Sequence, residues 1–257
     1  VPAGPRQAAG LLAPREGQPA DTVLPVVPMF HVNAWGLPYA ACMVGAKLVF
    51  PGAALDGKSL HELFESERVT VSAGVPTVWQ GLLAHVQAHD LNFSTMRRTV
   101  IGGSACPPAM MRSFQQRHGV QVLHAWGMTE LSPLGTAGML EPRHLALSAE
   151  DRLAVQAKQG RGIYGIDMKI VGEDGAELPW DGKGSGELLV RGPWVVGEYL
   201  KGEGVDPLVG GWFPTGDVAT IDADGFMQIT DRPRKRRDGA PGGGDGGVHR
   251  RTPPQVG

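Results

Sequence analysis

The chain has 257 residues and a mass of 27.2 kDa, with 42% hydrophobic and 19% charged residues, enough apolar content for a substantial core and too much for a wholly disordered polypeptide. Twenty-four Lys and Arg against 26 Asp and Glu leave a formal charge of −2, which gives no global pull toward nucleic acid or anionic lipid. Cys42 and Cys106 have no disulfide-framework or zinc spacing and fit a reducing cytoplasm, and no apolar run approaches the ~20 residues of a membrane-spanning helix.

Taken in order, residues 1–20 are rich in Pro and Gly, without helical or strand period, and are expected to fray. Val23 to Val27 and Lys47 to Phe50 read as strands. Ser59 to Arg68 reads as a helix, with Ser59 and Glu62 as a capping box and Leu60, Leu63 and Phe64 inward. Val69 to Ala73 returns to strand, Thr77 to His89 to helix, and Thr99 to Ile101 to strand. Pro107 or Pro108 opens a helix through Arg117, where a missing N–H is harmless, and Val120 to His124 is the next strand. Strands alternating with helices imply an α/β fold, a parallel sheet flanked by helices, over residues 21–140.

Residues 141–232 differ. Leu147 to Lys158 predicts a surface helix, and Met168 to Val171, Gly186 to Arg191, Val218 to Ile221 and Phe226 to Thr230 predict short strands. Gly- and Asp-rich turns such as Asp174-Gly175 and Asp224-Gly225 separate them, which gives a small β-rich subdomain. Residues 233–257 carry seven Gly, four Pro and six Lys or Arg; they cannot build a core, and they lack the aromatics that would stack on nucleic-acid bases.

Two clusters carry candidate chemistry. In an open parallel sheet, ligands bind beyond the carboxyl ends of the strands, where Gly102-Gly103-Ser104-Ala105 and His124-Ala125-Trp126-Gly127-Met128-Thr129-Glu130 fall one strand apart. Farther on, Asp217 in Trp212-Phe213-Pro214-Thr215-Gly216-Asp217 sits between a Gly turn and an apolar strand, where a carboxylate can hold a vicinal diol. Each has a plain structural alternative: a tight Gly-Gly turn, a core Trp126, a Thr129 cap, a turn aspartate satisfying backbone N–H groups. His85 and His89 have helical metal-ligand spacing but no third ligand in view.

Together and in this order these segments resemble the acyl-adenylate-forming superfamily and, within it, the fatty-acyl-CoA ligases. Val27-Pro28-Met29-Phe30-His31-Val32-Asn33-Ala34-Trp35-Gly36, Ala73-Gly74-Val75-Pro76-Thr77-Val78-Trp79 and Ile229-Thr230-Asp231-Arg232 add to the likeness, which runs from about Asp21 to Arg232. The resemblance implies a partial N-terminal domain of an enzyme that joins a carboxylate to the α-phosphate of ATP, expels pyrophosphate, and passes the acyl group to coenzyme A.

By the same resemblance, Glu130 ligates Mg²⁺, Thr129 bonds a phosphate oxygen, and Trp126 stacks on adenine beside Gly127 and the backbone of Gly103, Ser104 and Ala105. Asp217 and Arg232 hold the ribose hydroxyls. His31 lies next to the acyl carboxylate, Trp35 gates the acyl tunnel, and Val75, Pro76, Thr77 and Gly103 line it. The implied ligands are ATP or AMP, Mg²⁺, coenzyme A and a fatty acid, with no nucleic acid, and a homodimer is compatible with that function.

The likeness fails at both ends. Residues 1–20 hold no Gly/Ser/Thr-rich phosphate loop, and the pattern stops after Arg232, before the mobile C-terminal domain that supplies the family's adenylating lysine. The expectation is a central fragment, truncated or read out of frame at its ends and poorly active alone. A non-catalytic acyl- or nucleotide-binding module, or another adenylate-forming enzyme, is the alternative.

Overall fold

The computed structural model describes residue 12, residues 20–200 and residues 206–231. Arg232 and the basic tail lie outside them. Leu12, in the head expected to fray, is fully buried with Val23, Leu37 and Ala40 in one apolar cluster.

Strands β1 (Thr22–Pro25), β2 (Lys47–Leu48), β3 (Val71–Gly74), β4 (Arg98–Ile101) and β5 (Gln121–Gly127) run parallel in the order β2-β1-β3-β4-β5. Successive side chains of a strand point to opposite faces, so each strand feeds two cores. Leu24, Ile101 and Val122 join Phe64, Trp79 and Phe114 under the helices of one face, whereas Val23, Val100 and Leu123 join Leu37 and Ala41 on the other. Helices α1 (Leu37–Val44), α2 (Gly57–Ser66), α3 (Pro76–Ala88) and α4 (Pro108–Arg112) connect the strands.

The sheet is longer and less uniform than the sequence pattern implies. Strands β6 (Leu134–Ala137) and β7 (Arg161–Gly162) extend it in antiparallel fashion beyond β5. Between them lies α5 (Ala149–Ala157), capped by Ser148 and packed on α4, with Leu153 in the first core. A second, four-stranded antiparallel sheet follows, β8 (Asp167–Val171), β9 (Gly186–Arg191), β10 (Phe213–Ile221) and β11 (Met227–Asp231), in the order β11-β10-β9-β8. Its inner face (Met168, Ile170, Leu188, Val190, Phe213) buries Trp126 and Leu131.

Two local readings change. The cap of α2 is Asp56, whose carboxylate accepts from the Ser59 N–H at 3.0 Å, so the Ser59–Glu62 capping box does not form: an aspartate three residues upstream starts the helix earlier. The helix opened by the two prolines widens after Arg112 into π-type turns over Ser113–Arg117.

The sheets are stitched together at Gln159. Its N–H donates to Met227 O (3.0 Å), its side-chain carbonyl accepts from Ile229 N–H (2.7 Å), and its own carbonyl accepts from the Thr136 hydroxyl (2.6 Å). No helix among the described residues is long and apolar enough to cross a membrane.

Candidate functional site

Because β3, β4 and β5 are parallel, their carboxyl ends open on one side of the sheet, where Gly74-Val75, Gly102 to Ala105 and Gly127 to Glu130 emerge together. An apolar cavity of about 70 Å³ lies among them, walled by His31, Trp35, Gly102, Gly103, Trp126, Gly127 and Leu134. Its lining is predominantly apolar, with His31 as the one ionisable side chain on the wall.

Trp35 forms one wall of the cavity. A Cβ on Gly102 would stand 3.2 Å from the Trp35 ring and one on Gly103 3.8 Å from it, so the indole lies flush against the Gly-Gly turn. Gly103 also has φ +77° and faces Val75 Cγ1, which a Cβ would approach to 3.1 Å; both conditions select glycine. Trp35 ends a left-handed turn over Val32, Asn33, Ala34 and Trp35, all with φ between 46° and 55°, closed by Gly36 N–H donating to Asn33 O at 3.1 Å. Left-handed backbone costs L-residues roughly 1–2 kcal/mol each, so the segment carrying His31 and Trp35 stores strain beside the cavity.

On the far wall, Trp126 is 5% exposed and its indole N–H donates to Asp217 Oδ2 at 2.8 Å. Asp217 is itself 2% exposed, and its backbone N–H donates to the Thr215 hydroxyl at 3.1 Å. Gly135 makes room for the indole: a Cβ there would stand 2.4 Å from the ring. The two sequence clusters therefore meet.

Beyond β5 the chain makes a single tight turn over Thr129–Leu131, with Thr129 exposed and Glu130 partly so. Residues 192–200 lie along it. Val196 N–H donates to Glu130 O (2.8 Å), the Ser132 hydroxyl to Trp194 O (3.1 Å), and the Tyr199 phenol to Glu130 Oε1 (3.2 Å). Desolvation, with the neighbouring Glu130 charge second, raises the Tyr199 pKa above its ordinary value.

Of the remaining candidates, Val75 meets the cavity rim at Gly103, while Pro76 and Thr77 form the first turn of α3 outside the cavity wall. Ser104 and Ala105 are exposed, and Arg232 lies outside the described residues. Sequence reasoning missed Tyr199, which lies 69 residues from Glu130 with no spacing signal, and it missed the Trp126–Asp217 bond.

His124 and Cys106 sit behind the Gly102–Ala105 turn. His124 Nε2 accepts from the Cys106 N–H (3.3 Å), so its Nδ1 carries the proton and donates to Ala157 O (3.0 Å). Burial lowers the His124 pKa, opposed by that carbonyl, and raises the Cys106 thiol to about 12. The histidine is neutral and the cysteine is no nucleophile. The His85 and His89 rings are tilted against each other with centroids 4.3 Å apart, and no group of three or more His, Cys, Asp or Glu able to hold a metal occurs among the described residues.

The profile of a family described as AMP-binding enzyme matches residues 6–200. The chain is 55% identical over 212 residues to a medium-chain-fatty-acid–CoA ligase of Ectopseudomonas oleovorans and 51% identical over 212 residues to a 3-methylmercaptopropionyl-CoA ligase of Ruegeria pomeroyi; each match covers 82% of this chain and 39% of the relative. The crystal structure of a long-chain-fatty-acid-CoA ligase from Archaeoglobus fulgidus superposes with a TM-score of 0.73 at 27% identity, covering 90% of this chain and 47% of that one. The chain thus spans well under half the length of these curated relatives.

Proposed function

Since the chain belongs to the AMP-binding enzyme family, we propose that it forms the acyl- and adenylate-binding part of an ATP-dependent fatty-acid–CoA ligase. In that reaction the substrate carboxylate attacks the α-phosphate of ATP, pyrophosphate leaves, and the thiol of coenzyme A then displaces AMP from the acyl-adenylate. The observation that carries the reading is the meeting of Trp126 and Asp217, 91 residues apart, beside an apolar cavity at the carboxyl ends of the parallel strands.

Both partners in the first step are anions, so the site's work is positioning and charge neutralisation. His31, on the cavity wall and exposed, is assigned to the acyl carboxylate. The apolar cavity, with Trp35 and Gly103 on its wall and Val75 at its rim, is assigned to the alkyl chain; Pro76 and Thr77 back that rim from the first turn of α3. Trp126 presents its indole to the base, and Asp217 accepts ribose hydroxyls while keeping the indole N–H. Gly103, Ser104, Ala105 and Gly127 supply backbone along the base edge, and Arg232 joins Asp217 at the ribose.

Thr129 and Glu130 are assigned to the phosphates and to Mg²⁺. A lone carboxylate fits this cation, which is commonly held by one or two carboxylates together with substrate phosphates. Bound there, Mg²⁺ neutralises phosphate charge.

Turnover is expected of the longer polypeptide that this chain's relatives represent, and little of it from the 257 residues alone. The test is nucleotide binding by calorimetry: Asp217→Ala weakens AMP affinity about tenfold or more, the loss of one charge-assisted hydrogen bond. Unchanged affinity rejects the assignment. ATP–pyrophosphate exchange by the longer polypeptide, lost on Glu130→Ala, distinguishes a ligase from a module that only binds.

A further inference from the structure

Glu130 is not left to solvent. The segment from Trp194 to Tyr199 is fastened to the turn that carries it by two bonds that leave the carboxylate untouched, Val196 N–H to Glu130 O and the Ser132 hydroxyl to Trp194 O. They fix where the segment lies. The third contact is of another kind, because the Tyr199 hydroxyl reaches the Glu130 carboxylate itself, at Oε1 and 3.2 Å.

A glutamate side chain has three rotatable bonds, and on a one-turn helix at the surface little packing would restrain it. A phenol delivered from an anchored segment supplies such a restraint. It donates one hydrogen bond to one oxygen and leaves the other oxygen's lone pairs available, and it adds no charge that would compete with a cation.

We propose that Tyr199 is the positioning residue for Glu130: its hydroxyl orients the carboxylate so that the second oxygen is presented to a divalent cation. The inference rests on the nucleotide-site reading above and deepens it. The role assigned to Tyr199 is exerted through Glu130. Outer-shell partners of this sort commonly change metal affinity by 10- to 100-fold.

The test uses Tyr199→Phe, which keeps the ring and removes only the hydroxyl. Mn²⁺ is the probe, its binding in the presence of ATP followed by electron paramagnetic resonance of the free ion. Wild type binds, Glu130→Gln abolishes binding, and Tyr199→Phe weakens Mn²⁺ affinity 10- to 100-fold while AMP affinity without metal stays within twofold. Equal or tighter Mn²⁺ binding by Tyr199→Phe overturns the inference and leaves the nucleotide reading standing. A wild type that binds neither AMP nor Mn²⁺ with ATP overturns that reading, and the inference falls with it.

Discussion

The Trp126 indole and the Asp217 carboxylate are buried partners, 2.8 Å apart across the junction of the two sheets. Without the carboxylate the indole N–H would be an unsatisfied donor away from water, so Asp217 makes the burial of Trp126 tolerable. Asp217→Ala is expected to cost about 1.5–3 kcal/mol of stability in urea unfolding, before any ligand is considered. Combining it with Trp126→Phe should cost less than the sum of the single changes; strict additivity would mean that the bond contributes nothing.

Trp35 walls the cavity, so removing its indole should enlarge it. Trp35→Ala is expected to increase affinity for long-chain fatty acids, read by displacement of a fluorescent fatty acid, while Gly103→Val should reduce affinity and stability together because of its φ and its approach to Val75. Equal binding by wild type and Trp35→Ala would show that the acyl group lies elsewhere.

The two thiols should react very differently. Cys42 is exposed, whereas Cys106 is buried with a pKa pushed up to about 12. Titration of the native chain with a thiol reagent should modify one cysteine rapidly, and Cys42→Ser should remove that phase; Cys106 should react only in denaturant. Rapid labelling of Cys106 would contradict its placement.

His124 gives the fold a pH dependence of predictable sign. Burial lowers its pKa in the folded chain below the ordinary 6.5, so at lower pH the unfolded chain takes up the proton first. The stability that neutral His124 supports is complete above about pH 6.5 and declines as pH falls below it. His118 shifts the same way, through burial and then Arg117, so the contribution of His124 is read as the difference between wild type and His124→Gln. The variant should show a flatter urea-midpoint curve between pH 7 and 5; parallel curves would assign the effect elsewhere.

At the opposite end of the strands, Asp21 is 4% exposed and accepts from Arg97 (2.9 Å), Arg98 and the Thr70 hydroxyl (2.8 Å). Removing one partner of a buried ion pair leaves the remaining charge less compensated, so Asp21→Ala should cost about 3 kcal/mol, the lower end of the usual range because Arg97 reaches solvent. Thermal unfolding would register this as a drop of several degrees, with nucleotide affinity unaltered in the remaining folded chain.

The parallel half of the fold was legible because its signals are local: β-branched runs, helix-period stripes, and the Pro107-Pro108 pair at a helix start. Strands β6 and β7 were not, because Leu134-Gly135-Thr136-Ala137 and Arg161-Gly162 are short and glycine-bearing and gain strand geometry only by pairing with β5 and each other. The same division holds at the site. The Gly102–Ala105 turn and the His124–Glu130 segment could be found from composition and position, whereas the Tyr199–Glu130 and Trp126–Asp217 contacts are tertiary and follow from no spacing. The left-handed backbone from Val32 to Trp35 runs against the preferences of those residues, Val32 above all, so propensity could not disclose it.

The Gln159 seam has a mechanical corollary. With a main-chain donor, a main-chain acceptor and a side-chain acceptor all engaged across the junction, the two walls of the cleft cannot swing apart like a hinged book without breaking several bonds at once. On the proposed reading, a guest molecule is therefore expected to be admitted by movement of individual groups such as the Trp35 indole, with the two sheets staying together.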